Sequence, residues 1–177
     1  MDVSDHRIPL QFLAGLPEGI KYISRQGVDY LVVEELRCPS GHSLMDEDVR
    51  IHGEASIKIR VGLGGGEGLV YLDPFWGGHT KLFSFLPPSL PAGALAEASC
   101  PTCGAGLDID EPCAEPECSS GKGFCFYLPG MRNRIHICAR LGCPGHVMEI
   151  SEMPQEVRES LNRINFPDEE EGSVDAE

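Results

Sequence analysis

Positive charge is scarce in this sequence: 177 residues carry 14 Lys and Arg against 28 Asp and Glu, a formal net charge of −14. Nucleic-acid binding needs Lys and Arg opposite phosphates, so no such partner is expected, and an anionic membrane surface is equally unsuited. Long apolar runs are missing too. Stretches such as Leu31-Val32-Val33 are far too short to cross a bilayer. The opening residues MDVSDHRIPLQFLAGLP have no cationic start followed by an unbroken apolar stretch, so no secretory leader is expected and the reading is a reducing cytoplasm. No Gly-x-Ser-x-Gly elbow, helical His-Glu-x-x-His or paired-carboxylate pattern occurs, which leaves no sequence-level candidate for a catalytic residue. Aromatic residues are only 7%.

Glycine, proline and cysteine are what the chain does contain: 21 Gly, 14 Pro and 8 Cys. This composition favours short strands and turns over a helical bundle. The expected fold class is mainly β (a β-rich α+β protein), with small antiparallel sheets, metal-pinned turns and one C-terminal helix. Residues 1–20 read as an N-terminal arm with one helical turn, and residues 21–99 as a β-rich domain. Residues 28–37 are β-branched and apolar enough to form a strand. Ile57-Lys58-Ile59-Arg60-Val61 alternates as a half-buried strand does, and Leu69 to Leu72 answers it across a glycine-rich loop at 62–68. That loop lacks the Lys-Ser/Thr ending of a nucleotide cradle and opens no helix, so it reads as a hairpin tip. A short strand from Lys81 to Leu86 stops at Pro87-Pro88, and residues 87–98 read as a connector.

Residues 100–150 differ in kind, since seven of the eight cysteines fall between Cys100 and Cys143. A hairpin is expected there, Gly123 to Leu128 and Arg134 to Ala139, turned by Pro129-Gly130, with Cys125 facing His136. Residues 151–167 form the expected helix, where Val157, Leu161 and Ile164 make one apolar stripe between Pro154 at the start and Pro167 past the end. The tail 168–177 (DEEEGSVDAE) has nothing apolar to bury and reads as disordered.

Four turns hold nearly all the thiols: Cys38-x3-His42, Cys100-x2-Cys103, Cys113-x4-Cys118 and Cys138-x4-Cys143. In a reducing compartment these read as metal ligands rather than as a disulfide framework. The first two turns share a grammar, Cys38-Pro39-Ser40-Gly41-His42 and Cys100-Pro101-Thr102-Cys103-Gly104. Proline pre-sets one dihedral, and glycine lets the backbone curl so that N–H groups face sulfur. These turns resemble the knuckles of zinc-ribbon proteins. The resemblance covers about ten residues; it implies a metal site in a β-rich setting and no particular activity. One departure is the long separation between the two knuckles, from 43 to 99. Two further donors stay open: His146, in Cys143-Pro144-Gly145-His146, can replace one cysteine, and Cys125 reads mainly as a small buried hydrophobe. His52, His79 and His136 read as ordinary histidines. The only tryptophan lies in Asp73-Pro74-Phe75-Trp76-Gly77-Gly78-His79, a corner of the core or a binding pocket.

The expected metal ligands are therefore Cys38, His42, Cys100, Cys103, Cys113, Cys118, Cys138 and Cys143, holding two zinc ions. Three thiolates with one imidazole, and four thiolates, would carry the chain from −14 to about −17 once loaded. Segment 100–146 is poor in large apolar residues, and a structural zinc would supply folding energy on the order of 10 kcal/mol. Closed four-donor sites point to an accessory or scaffold protein with a protein partner, because a catalytic zinc keeps a position for water. The alternatives are an iron–sulfur electron carrier on the second group of cysteines and a metal-dependent enzyme with an open zinc site.

Overall fold

Ile57, Ile59, Val61 and Leu63 are buried while the residues between them are half-exposed. That two-residue period builds the longest strand of the computed structural model, β4 (Glu54–Leu63). The structure describes residues 8–85, 94–140, 142–151 and 153–164. β4 is the spine of a five-stranded antiparallel sheet with β3 (Met45–Ile51), β5 (Gly66–Leu72), β6 (Lys81–Phe83) and β7 (Glu97–Ser99), in the order β3-β4-β5-β6. β7 pairs with Arg60, Val61 and Gly62 of β4.

The glycine-rich loop expected over 62–68 is a correction. Gly62 pairs with Glu67 and Leu63 with Gly66, so the turn is only Gly64-Gly65, both at positive φ of 49° and 98°. Such a two-residue turn matches the strand twist only with left-handed residues, which glycine adopts freely. Gly68 pairs with Val61 as a strand residue, and it is glycine because a Cβ there would sit 2.4 Å from the Phe85 ring. The strand expected over 28–37 is shorter: β2 is Val28–Val33, hairpinned with β1 (Ile20–Arg25). β2 ends where the backbone leaves the ladder, as Val33 N–H donates to Pro74 carbonyl (2.8 Å) and Glu34 N–H to Gly19 carbonyl (2.7 Å). β3 and β7 carry too many acidic or small residues to announce themselves.

The second sheet is four-stranded, in the order β11-β10-β9-β8, from β8 (Asp108–Ile109), β9 (Gly123–Tyr127), β10 (Arg134–Cys138) and β11 (His146–Glu149). The β9–β10 hairpin has Cys125 opposite His136. Arg37 exchanges both backbone hydrogen bonds with Tyr127, at 2.7 and 2.9 Å, and so ties the residue before Cys38 to this sheet.

One apolar core joins the two larger sheets and the separate two-stranded β1–β2 sheet, with Leu31, Val33, Leu36 and Trp76 from the first half of the chain meeting Phe126, Ile135 and Met148 from the second. Helix α1 (Leu10–Ala14) contributes Phe12. Helix α2 (Gln155–Asn162) is shorter than the expected 151–167, because Pro154 has ψ of 142° and caps the helix rather than joining it. Its Val157 and Leu161 are buried, as is Ile164 just beyond. The Trp76 indole N–H donates to Leu161 carbonyl at 2.8 Å, and Met148 N–H donates to Asn162 Oδ1 at 2.9 Å. Residues 1–7, 86–93 and 165–177 lie outside the described residues, and with them most of the expected connector and the acidic tail.

Leu161 has no exposed surface, so Leu161→Ala removes buried methyl groups and leaves a cavity. A loss of about 2–5 kcal/mol is expected, read as a lowered urea midpoint followed by Trp76 fluorescence.

Candidate metal centres

Cys38, His42, Cys100 and Cys103 come together, with one donor atom from each lying within 4.8 Å of every other. Cys38 Sγ is 3.6 Å from His42 Nδ1 and 3.8 Å from Cys103 Sγ. Cys113, Cys118, Cys138 and Cys143 form a second group inside the same limit, with Cys113 Sγ to Cys143 Sγ at 3.5 Å and Cys118 Sγ to Cys138 Sγ at 3.7 Å. A disulfide needs about 2.05 Å, and all eight cysteines are free thiols. Four donors about 2.0–2.3 Å from a central tetrahedral ion stand roughly 3.3–3.8 Å from one another. The measured separations match those edges, so both groups can hold a metal ion.

The first cage is assembled from two distant turns. Cys38 N–H donates to His42 carbonyl (3.0 Å) and Gly41 N–H to Cys38 carbonyl (2.9 Å), a curl that needs Gly41 at φ 91°. Gly104, at φ 76°, closes the Cys100 turn through its N–H to Cys100 carbonyl, and Thr102 N–H points at Cys100 Sγ, 3.4 Å away. Cys38 and Cys100 are buried while His42 and Cys103 reach the surface.

The second cage is carried by the loop before β9 and the turn between β10 and β11. Glu115 N–H faces Cys113 Sγ and Arg140 N–H faces Cys138 Sγ, both at 3.4 Å. Cys138 N–H donates to Gly145 carbonyl at 3.0 Å, folding the turn back on itself. Gly145 is dictated by space: a Cβ would lie 2.4 Å from Cys113 Sγ and 3.5 Å from Cys143 Sγ.

Without a cation, clustered thiols cannot all ionise, and their environments divide them. Burial pushes the Cys100, Cys113 and Cys143 thiols upward. Cys118 falls to about 7, chiefly through the Ser120 backbone N–H, and the Ala105 N–H lowers Cys103. Burial opposes ionisation of Cys38 as well, yet hydrogen bonds from His42 and Ser40 bring it to about 6. His42 is raised by its contacts with the Cys38 and Cys103 sulfurs.

Neither of the two open donors enters a cage. His146 has Nδ1 2.8 Å from Pro144 carbonyl and Nε2 2.8 Å from Ile164 carbonyl, so both ring nitrogens face backbone oxygens. It also packs edge-on against Trp76 at 4.7 Å. Cys125 is buried at 2% exposure, its sulfur 3.9 Å from Arg134 Nη1. At the Asp73 to His79 corner, the Asp73 carboxylate accepts from the N–H groups of Phe75 (2.9 Å) and Thr80 (3.3 Å). A cavity of about 70 Å³ opens beside it, between Trp76, His79, Ile137 and His146. Sequence reasoning passed over Glu111, Arg134 and Glu149, which surround His136. The register of β10 on β11 pairs Arg134 with Glu149, and the loop after β8 adds Glu111.

No protein-family model matches the chain, and no curated protein and no solved structure is significantly similar to it.

Two outcomes test the cages. Gly145→Ala forces carbon onto the Cys113 sulfur and should cost one metal equivalent while the Cys38–Cys103 cage keeps its own, as counted by elemental analysis. Protons compete with metal for thiolate, so affinity should rise with pH. As pH falls, protons displace the ion from sulfur, and bound metal should escape to a colorimetric chelator.

Proposed function

We propose that the chain is a zinc-binding accessory or scaffold protein whose two ions are structural, one in each cage. The observation that carries this reading is closure: each cage brings four protein donors within 4.8 Å of one another, with two separations in each at 3.5–3.8 Å, and a catalytic zinc would keep one position for water. Thiolate and imidazole ligands suit zinc. Four sulfurs packed within 4.8 Å suit a single ion better than the several irons and sulfides of a cluster, which supports zinc over the iron–sulfur-cluster alternative.

The first ion would join turns 62 residues apart, Cys38 and Cys100, beside the Arg37–Tyr127 staple. The second would fix the rim of the four-stranded sheet. Zinc binding would thereby become folding free energy, and the rigid product would present an acidic surface. A protein partner with basic groups, or one that pairs with an exposed strand edge, suits a chain of net charge −14. Nucleic acid and anionic lipid do not. Among the described residues no helix is long and apolar enough to cross a membrane. Free thiols arranged as ligands fit a reducing cytoplasm.

Elemental analysis of protein purified anaerobically should find two zinc per chain and no stoichiometric iron. Stripping the zinc with a strong chelator should lower the melting temperature by tens of degrees and broaden the transition. A colourless, metal-free protein whose melting curve is indifferent to the chelator would overturn the proposal.

A further inference from the structure

A third group of metal-type donors stands apart from both cages. Glu111, from the loop after β8, His136 on β10 and Glu149 on β11 bring one donor atom each within 4.8 Å of one another. The two carboxylates are used in the same way. Each gives one oxygen to Arg134: Glu111 Oε1 accepts from Nη2 at 2.7 Å, and Glu149 Oε2 accepts from Nε. Each turns its other oxygen toward His136 Nε2, Glu149 Oε1 at 3.3 Å and Glu111 Oε2 at 3.6 Å. The Glu149 contact is a long hydrogen bond, and at 3.6 Å Glu111 lies beyond one. Donors about 2.1 Å from one ion, at angles between the octahedral and trigonal values, stand roughly 3.0–3.6 Å apart. The two separations fall in that range.

We propose that Glu111 Oε2, His136 Nε2 and Glu149 Oε1 form a third, solvent-open site for a divalent transition-metal ion. Arg134 is its positioning residue: it grips the far oxygens and so aims the near ones, as outer-shell partners of metal ligands do. The two carboxylates and the Arg134 guanidinium sum to one negative charge, so a divalent ion is electrostatically welcome. His136 supplies the buried wall, with a side chain 12% exposed, while Glu111 and Glu149 are 33% and 38% exposed and leave coordination positions for water. Oxygen and imidazole donors set this site apart from the sulfur cages, and three protein ligands with open positions are the arrangement in which a bound ion can take an exogenous ligand.

Cobalt(II) added anaerobically to the full-length, metal-free chain separates the sites by colour. The first two equivalents should raise the near-ultraviolet thiolate-to-cobalt absorption. A third should bind more weakly by calorimetry and add no thiolate absorption. Glu111→Gln with Glu149→Gln should abolish the third equivalent and leave the first two, and Arg134→Lys should weaken the third at least tenfold. Free cobalt appearing as soon as two equivalents are bound would overturn the proposal and leave the group as an ion-pair clamp between β10 and β11. That result is distinct from failure of the zinc reading, in which no thiolate absorption would develop at all. Because the wild-type stoichiometry decides the matter, a variant that fails to fold does not blunt the test.

Discussion

Sulfur atoms held 3.5 to 3.8 Å apart without a covalent bond are the constraint on which this structure turns. Each cage crowds thiols together where desolvation resists ionisation and backbone N–H groups encourage it. Metal-free, such a cluster is a compromise among protonation states. A divalent cation removes the conflict by stabilising all the thiolates at once, and the backbone N–H groups already aimed at sulfur then share the remaining negative charge. The prolines and left-handed glycines of the turns are the local means to that arrangement.

The two cages differ in what they connect. A metal in the first would close a long loop between residue 38 and residue 100, which contains all five strands of the larger sheet, and loop closure of that length carries a substantial entropic term. It acts beside a covering of hydrophobic contact: Leu36 and Cys38 are fully buried against the same core as Phe126 and Leu128. The second cage is more local. A metal there would close the rim of a small sheet whose strands are two to five residues long, too short to hold their ends by ladder hydrogen bonds alone. The C-terminal helix completes the same end of the molecule through Trp76, Met148 and Leu161.

Much of this was legible along the chain because it depends on neighbours in sequence. The period-two pattern of Ile57 to Leu63, the β9–β10 hairpin with Cys125 opposite His136, and the stripe of Val157, Leu161 and Ile164 all follow from local geometry. What misled was glycine. Between residues 62 and 68 it signals a loop, whereas Gly62, Gly66 and Gly68 are strand residues, one of them cleared for Phe85. β3 and β7 were invisible because strands that hold a sheet edge need few apolar residues to do so.

From sequence alone came the donors, their pairing into four turns and the β-rich class, since ligand spacing and strand alternation are properties of a few consecutive residues. Only the tertiary structure decided which turns meet, that His146 faces carbonyl oxygens while His42 faces sulfur, and that Glu111 and Glu149 converge on His136. Those are distances between residues far apart in the chain, set by strand register and by a core shared between the sheets, and no local pattern encodes them.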